Sequence, residues 1–128
     1  SKWVDSQRLR ALLDLPLPPT AIVFATDLAA LGAYEAARAR GLSIGRDLSI
    51  ISYDGIPEGA YADPGLTTFE VDNHHAGDRL AALLIRSVRG EDPEDLRELA
   101  PAKLIRRGSA GSPALTPAEL ANHLKTMT

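Results

Sequence analysis

The segment AIVFATDLAALGAYEAARARGLSIGRDLSIISYD, residues 21–54, determines the predicted fold. It begins with a wholly apolar run at 21–25, continues with an alanine-rich stretch at 28–40, and ends with a nearly continuous apolar run at 48–53. Short apolar runs of this kind are typical of strands covered on both faces, as in parallel sheets. A strand, a helix and a second strand form a β-α-β unit with a right-handed crossover. The segment therefore predicts a parallel sheet.

Residues at both ends of the predicted helix support this assignment. Thr26 and Asp27 carry side-chain oxygens that can cap the free amide groups at the start of a helix. Gly41 suits the left-handed position that closes one. We therefore expect the helix to begin where the first strand ends.

The elements on both sides continue the alternation of strand and helix. A helix is predicted for 6–13, and the prolines after it end it because proline lacks an amide donor. Further along, the sequence predicts a strand at 66–71 and a helix from Asp72 to Arg89, whose inner stripe is Ala76, Leu80, Leu83, Leu84 and Val88. It then predicts a polar connection with one helical turn at 91–99, a strand at 102–107, and a terminal helix with a capping box of Thr116 and Glu119. This order predicts an α/β protein with three α/β/α layers and a mainly parallel sheet.

Composition limits the classes of function. The chain has 128 residues, of which 45% are hydrophobic, so it can bury a core. A net charge of −3 argues against this chain wrapping a phosphate backbone by itself. The absence of cysteine excludes disulfides and thiolate metal sites. We expect neither a membrane span, which needs about 20 apolar residues, nor a signal peptide, because residues 1–10 contain no apolar core.

Acid-bearing turns follow two of the predicted strands. The first strand leads into Thr26 and Asp27, and the second leads into Asp54. In parallel sheets, ligands bind outside the carboxyl ends of the strands. If the two strands are neighbours, both turns lie at the same edge, and the sequence predicts a ligand site there.

Four stretches together resemble the lactose/galactose-repressor (LacI/GalR) family of bacterial transcription regulators. They are PPTAIVFATDLAALGAYEAARARGLSIGRDLSIISYDGIP (18–57), YADPGLTTFEVD (61–72), GDRLAALLIRSVRGE (77–91) and PAKLIRRGS (101–109). Each stretch alone is a weak signal, and the set in this order is specific.

The resemblance implies a sensor of the periplasmic-binding-protein-like type, in which a small effector binds between two lobes. Residues 1–109 would supply carboxyl-terminal pieces of both lobes, with a crossing between lobes at 66–71, and residues 110–128 a linker and a short terminal helix. The family's DNA-binding domain is absent from this chain. By resemblance we expect a cytoplasmic homodimer that contacts operator DNA only through that missing domain, with a sugar or a related polyol or nucleoside as effector.

The resemblance also assigns a ligand site. Asp54 lies where the family places the acid that binds ligand hydroxyls, and Thr26 lies where Asn is more common. Asp27 is a further candidate, and Tyr53 could offer an apolar platform for a ring. The structural alternatives are that Asp54 only forms a turn ahead of Gly55 and that Thr26 and Asp27 only cap the helix.

A dimer surface is expected from the same resemblance. Leu28, Leu31, Tyr34 and Tyr61 are its candidate residues, and Tyr61 is the most attractive because an aromatic side chain in a surface loop covers much area. The alternative is that these residues fill the core.

The remaining motifs are weaker. His74 and His75 are adjacent and have no third ligand close by in sequence, so we expect no metal site. Arg106 and Arg107 could contact an anionic effector, although exposed strand-end charges are the simpler interpretation. No catalytic constellation is present, so we expect neither an enzyme nor a cofactor. The alternative functions are a fragment of a solute-binding protein of a sugar ABC transporter and a module that only dimerises.

Overall fold

The computed structural model describes residues 2–126, with side chains from residue 6 onwards. The described chain forms two compact units. The first takes in the residues up to Glu70 and those from Leu104 onwards, and the second is Val71–Lys103. None of the described helices is long and apolar enough to cross a bilayer.

Helices and strands alternate along most of the described chain. In order, the elements are α1 (Lys2–Leu13), β1 (Ala21–Val23), α2 (Asp27–Ala39), β2 (Ser49–Asp54), α3 (Glu58–Tyr61), β3 (Thr67–Glu70), α4 (Asn73–Val88), a single 3-10 turn (Pro93–Asp95), β4 (Lys103–Ile105) and α5 (Pro117–Thr126). Every helix and strand predicted from the sequence is present, with shifted ends. The short helix α3 was not predicted.

The four strands form one sheet in the order β1-β2-β3-β4. β1 pairs with β2 in parallel, as does β2 with β3. The register places Ile22 beside Ile50 and Asp54 beside Glu70. The β-α-β unit and the parallel sheet are therefore confirmed.

One face of the sheet carries the core of the first unit. Its helix α2 is rich in alanine, and the small side chains let it approach α1 and the sheet closely. Side chains from α1, α2, β2 and α5 join a single apolar cluster whose most buried members include Leu9, Leu13, Ala33, Ala37, Leu48, Ile50, Leu66, Leu120 and Leu124. The terminal helix is thus part of the core of this unit.

The opposite face of the sheet is open towards the carboxyl ends of its strands, which differs from the expectation of strands covered on both sides. Val23 is 75% exposed, and Tyr53 and Phe69 on the neighbouring strands are exposed as well. Alternate residues of a strand point to opposite faces, so these three side chains share the side away from Ile50. The helices in the apolar cluster pack on the Ile50 side. On the other side, the chain at 107–111 covers only the start of the strands, where Ser49 and Thr67 are buried.

Most of the inner stripe predicted for α4 is also exposed. Leu80, Leu84 and Val88 face solvent, Ala76 and Leu83 are half-buried, and no residue of α4 is buried. The second unit contains no described strand lying wholly within it that could cover the rest of this apolar face. The helix itself forms as expected, with the Asp72 side chain accepting from the His75 amide at 2.9 Å.

Candidate functional site

The turn after β2 has an unusual backbone. Asp54 adopts φ of +143°, and Gly55 follows with φ of +83°. A side chain at position 55 would also meet the neighbouring strand, because a Cβ there would lie 2.9 Å from the Cα of Glu70. A non-glycine residue with positive φ is sterically unfavourable, and such residues cluster at functional sites. The turn at Asp54 is therefore a candidate site on geometric grounds.

Asp27 is the centre of the hydrogen-bond network beneath this turn. Its residue exposure is 0%. One carboxylate oxygen accepts from the hydroxyls of Ser52 (2.5 Å) and Thr68 (2.6 Å). The other accepts from the amides of Gly55 (3.0 Å) and Ile56 (2.9 Å). Two oxygens offer about four acceptor positions, so the carboxylate is fully used within the protein.

These contacts change the acidity of the carboxyl group. Burial alone raises the pKa of Asp27, because it disfavours the charged form. The hydrogen bonds from Ser52, Thr68, Ile56 and Gly55 together outweigh burial and hold the pKa below its ordinary value. The group is therefore a buried, ionised carboxylate at neutral pH.

The structure brings three of the four predicted ligand residues together. The Asp27 amide lies 3.4 Å from a carboxylate oxygen of Asp54. Thr26 is exposed beside them and caps α2, its hydroxyl accepting from the Ala29 amide at 3.2 Å. Tyr53 differs, because its side chain lies on the open face of the sheet, opposite to Asp54.

Glu70 was not singled out by sequence reasoning. It is exposed and pairs in register with Asp54, so a second carboxyl group lies at the same edge. Sequence reasoning also missed Ser52 and Thr68, whose hydroxyls donate to Asp27. The alternation of side chains along adjacent strands is a signal for them, but only once the register is known.

The predicted dimer residues fall into two groups. Leu28 is 64% exposed and Tyr61 is 88% exposed, whereas Leu31 packs partly against the core. Tyr34 is buried, and its hydroxyl donates to the carbonyl of Pro64 at 2.8 Å. Burial raises the pKa of Tyr34, in keeping with a core position. The core alternative therefore describes Tyr34, while Leu28 and Tyr61 are available to a partner.

The other polar candidates have simpler roles. Within residues 6–126, no three His, Asp or Glu side chains come together as a metal site. The Arg107 guanidinium donates to the Leu66 carbonyl at 3.0 Å, and its backbone pairs with the Thr67 hydroxyl. These hydrogen bonds connect the chain after β4 to the start of β3.

Comparison with known proteins identifies the family. The family model described as a periplasmic binding protein-like domain matches residues 1–110. This chain belongs to that family.

Relatives in this periplasmic-binding-protein-like family are repressors. The HTH-type transcriptional repressor CytR of Escherichia coli strain K12 is 38% identical over 104 residues, covering 81% of this chain and 30% of CytR. The lactose operon repressor of Rhizobium radiobacter is 33% identical over 108 residues, covering 84% of this chain and 95% of that protein. A crystal structure of the lac repressor dimer bound to operator and the anti-inducer ONPF has a TM-score of 0.77 at 28% identity, covering 88% of this chain and 39% of that one.

These matches confirm the resemblance to LacI/GalR repressors and the mainly parallel α/β fold. The chain spans 30% of the length of CytR. The matched part is the effector-binding region of the periplasmic-binding-protein-like type.

Proposed function

We propose that this chain is the effector-sensing and dimerising part of a LacI/GalR-type repressor. Its ligand would be a small hydroxylated molecule, such as a sugar, a polyol or a nucleoside. The observation that carries the proposal is the carboxylate of Asp54, held on a strained turn at the carboxyl end of a parallel strand. This is the edge at which α/β sheets bind ligands.

The chemistry of the edge favours hydroxyl groups as ligands. A carboxylate accepts two hydroxyl donors in a fixed geometry, and hydrogen bonds to charged groups are strong. Asp54 and Glu70 lie side by side here, and the Arg107 guanidinium is engaged with the Leu66 carbonyl. Two neighbouring carboxylates repel an anion, so a neutral sugar or nucleoside fits this edge better than a phosphorylated one.

The predicted ligand residues receive different roles in this proposal. Asp54 contacts the ligand, and the exposed hydroxyl of Thr26 offers a second contact beside it. Asp27 has no acceptor position left, so we assign it a supporting role. Tyr53 as a platform for a ring stays a separate prediction, since its side chain lies on the other face of the sheet.

The proposed partners follow the relatives. The lac repressor in the structural comparison is a dimer bound to operator and to an anti-inducer. By analogy, this chain would dimerise through Leu28, Leu31 and Tyr61 and would reach operator DNA only through a separate DNA-binding domain. Effector binding would favour one arrangement of the lobes and so change operator affinity. Regulation of this kind takes place in the cytoplasm and requires no catalysis, in line with relatives that are repressors.

A thermal-shift titration tests the ligand site. Lactose, D-ribose and adenosine serve as probes, since a ligand that binds only the folded state raises Tm. We expect at least one probe to stabilise the wild-type chain and Asp54→Ala to abolish the shift. Glu35→Gln removes an exposed carboxylate from α2 and serves as the matched control, with the shift retained. Equal stabilisation of the wild type and Asp54→Ala would contradict the proposed site.

A solute-binding protein of a sugar ABC transporter remains the alternative. The repressor identities of CytR and the Rhizobium protein favour regulation over transport. The coding sequence upstream of residue 1 separates the two functions. A helix-turn-helix there supports the repressor, and a signal peptide supports the transport receptor.

A further inference from the structure

We infer that Asp27 is a positioning residue that couples the Asp54 turn to strand β3 through the hydroxyl of Thr68. Its carboxylate holds the turn in the geometry in which Asp54 contacts a ligand. The ligand contact rests on the proposed function, whereas the coupling between the turn and β3 does not. The two parts can therefore fail separately.

Asp27 lies in α2 and joins it to β2, to β3 and to the Asp54 turn. Asp27 is the first residue of α2, Ser52 lies in β2, and Thr68 lies in β3. The remaining two donors are the amides of Gly55 and Ile56 in the turn. A fully buried carboxylate is costly unless its acceptor positions are satisfied by hydrogen bonds. The charge of Asp27 is therefore stable in the interior only while these four donors stay in place.

The backbone of the Asp54 turn is strained. Positive φ at Asp54 is energetically unfavourable and persists only where the surroundings fix it. The amides of the next two residues both point to the Asp27 carboxylate, which prevents the turn from relaxing. The Asp27 amide also lies 3.4 Å from the Asp54 carboxylate. Asp27 thus acts on Asp54 through the turn and through its own backbone.

Thr68 connects the Asp27 carboxylate to β3. Its hydroxyl donates to the same carboxylate oxygen as the hydroxyl of Ser52, so Thr68 contacts Asp27 directly. β3 ends at Glu70, and the second unit begins at the next residue along the chain. A shift of the Asp54 turn on ligand binding would therefore also displace β3, because Asp27 is hydrogen-bonded to both.

Adjacent threonines provide a matched test. The Thr68 hydroxyl donates to Asp27, whereas the neighbouring Thr67 hydroxyl pairs with the backbone of Arg107. Thr68→Val and Thr67→Val each remove one buried hydroxyl from β3, but only the first removes a bond to Asp27. Thr68→Ser keeps the hydroxyl and tests rescue.

The measurement is amide hydrogen exchange by NMR on the 128-residue chain. Thr68→Val should speed exchange at Gly55 and Ile56 by about fivefold beyond the change expected from global stability, since one hydrogen bond is worth roughly 1 kcal/mol. Thr67→Val should add no such local increase, and Thr68→Ser should restore the wild-type rates. Equal behaviour of the two valine variants at Gly55 and Ile56 would overturn the coupling.

Ligand affinity supplies a second readout. Lactose is the probe, and its Kd should rise about fivefold in Thr68→Val and stay unchanged in Thr67→Val. If lactose binds both variants equally, the coupling of the turn to the ligand contact is wrong. If lactose leaves the wild type unaffected, lactose is not the effector, and the exchange data alone decide the coupling.

Discussion

The two residues after Tyr53 combine an unfavourable backbone with the carboxylate that we propose as the ligand contact. A plain turn would be satisfied by a type I geometry, which requires no positive φ. Instead, Asp54 and Gly55 both have positive φ, and the buried carboxylate of Asp27 accepts a hydrogen bond from the Gly55 amide. Positive φ and a buried charge both cost stability. We interpret them as the means by which the turn orients the Asp54 carboxylate towards a ligand.

Substitution of Gly55 tests how tightly this turn is constrained. In Gly55→Ala the new methyl group would lie 2.9 Å from the Cα of Glu70, and the residue would also keep φ of +83°. We expect a loss of about 2 kcal/mol or more in the free energy of unfolding, measured by urea denaturation.

A second glycine is the control for the Gly55 substitution. Gly77 lies inside α4, and a Cβ there meets nothing within 4 Å. Gly77→Ala should therefore stabilise by up to about 1 kcal/mol, through helix propensity. A loss of stability at Gly77 as large as that at Gly55 would contradict the steric explanation.

The acidity of Asp27 leads to a pH-dependent prediction. The folded-state pKa is lower than the ordinary value of 3.8, so the ionised form stabilises the fold above that pH. This stabilisation should fall as the pH drops below 3.8 through the folded-state pKa. We expect Asp27→Asn to be clearly less stable than the wild type at pH 6, with the difference shrinking in urea denaturation at pH 3. A difference that stays constant from pH 6 to pH 3 would exclude an ionised Asp27.

At the scale of the elements, local sequence signals were sufficient to predict every helix and strand except α3. Thr26 caps α2 as predicted, Gly41 closes it with φ of +72°, and Thr116 exchanges hydrogen bonds with Glu119 at the start of α5. Caps and apolar runs depend on neighbours in sequence, so they can be recognised in a single chain.

The parts that could not be predicted depend on neighbours in space. The positive φ of Asp54 follows from the pairing of β2 with β3 and from the carboxylate of Asp27. The exposure of Val23 follows from which face the helices cover. A short apolar run can form a strand that is buried on one face or on both. The expectation that both faces of the strands are covered was therefore wrong.

Helix α5 provides a prediction about the first unit. The domain boundary expected at residue 109 separates this helix from the sensor part, yet Leu120 and Leu124 are buried with Leu9 and Leu13. Leu120→Ala should cost about 2–5 kcal/mol in urea denaturation, since it leaves a cavity in that core. Asn122→Ala, on the exposed side of the same helix, should change stability by less than about 0.5 kcal/mol. If Leu120→Ala is equally neutral, α5 is a dispensable tail.

At the scale of the whole molecule, exposed apolar surface dominates the expected behaviour. Both units leave apolar side chains uncovered, at Val23 on one face of the sheet in the first and at Leu84 on α4 in the second, where no residue of the helix is buried. Soluble monomers rarely expose large contiguous apolar patches. The chain is therefore expected to associate.

Two surfaces of the first unit could form the dimer contact, and substitutions can distinguish between them. Leu28 and Tyr61 belong to the proposed dimer surface, whereas Val23 lies on the open face of the sheet. Light scattering coupled to gel filtration should give a dimer of the 13.7 kDa chain. We expect Leu28→Lys to convert it to a monomer and Val23→Lys to leave the dimer intact, because a polar substitution is costly only where the side chain is buried by the partner. The opposite pattern would assign the contact to the sheet face, and a wild-type monomer at every concentration would show that neither surface is sufficient.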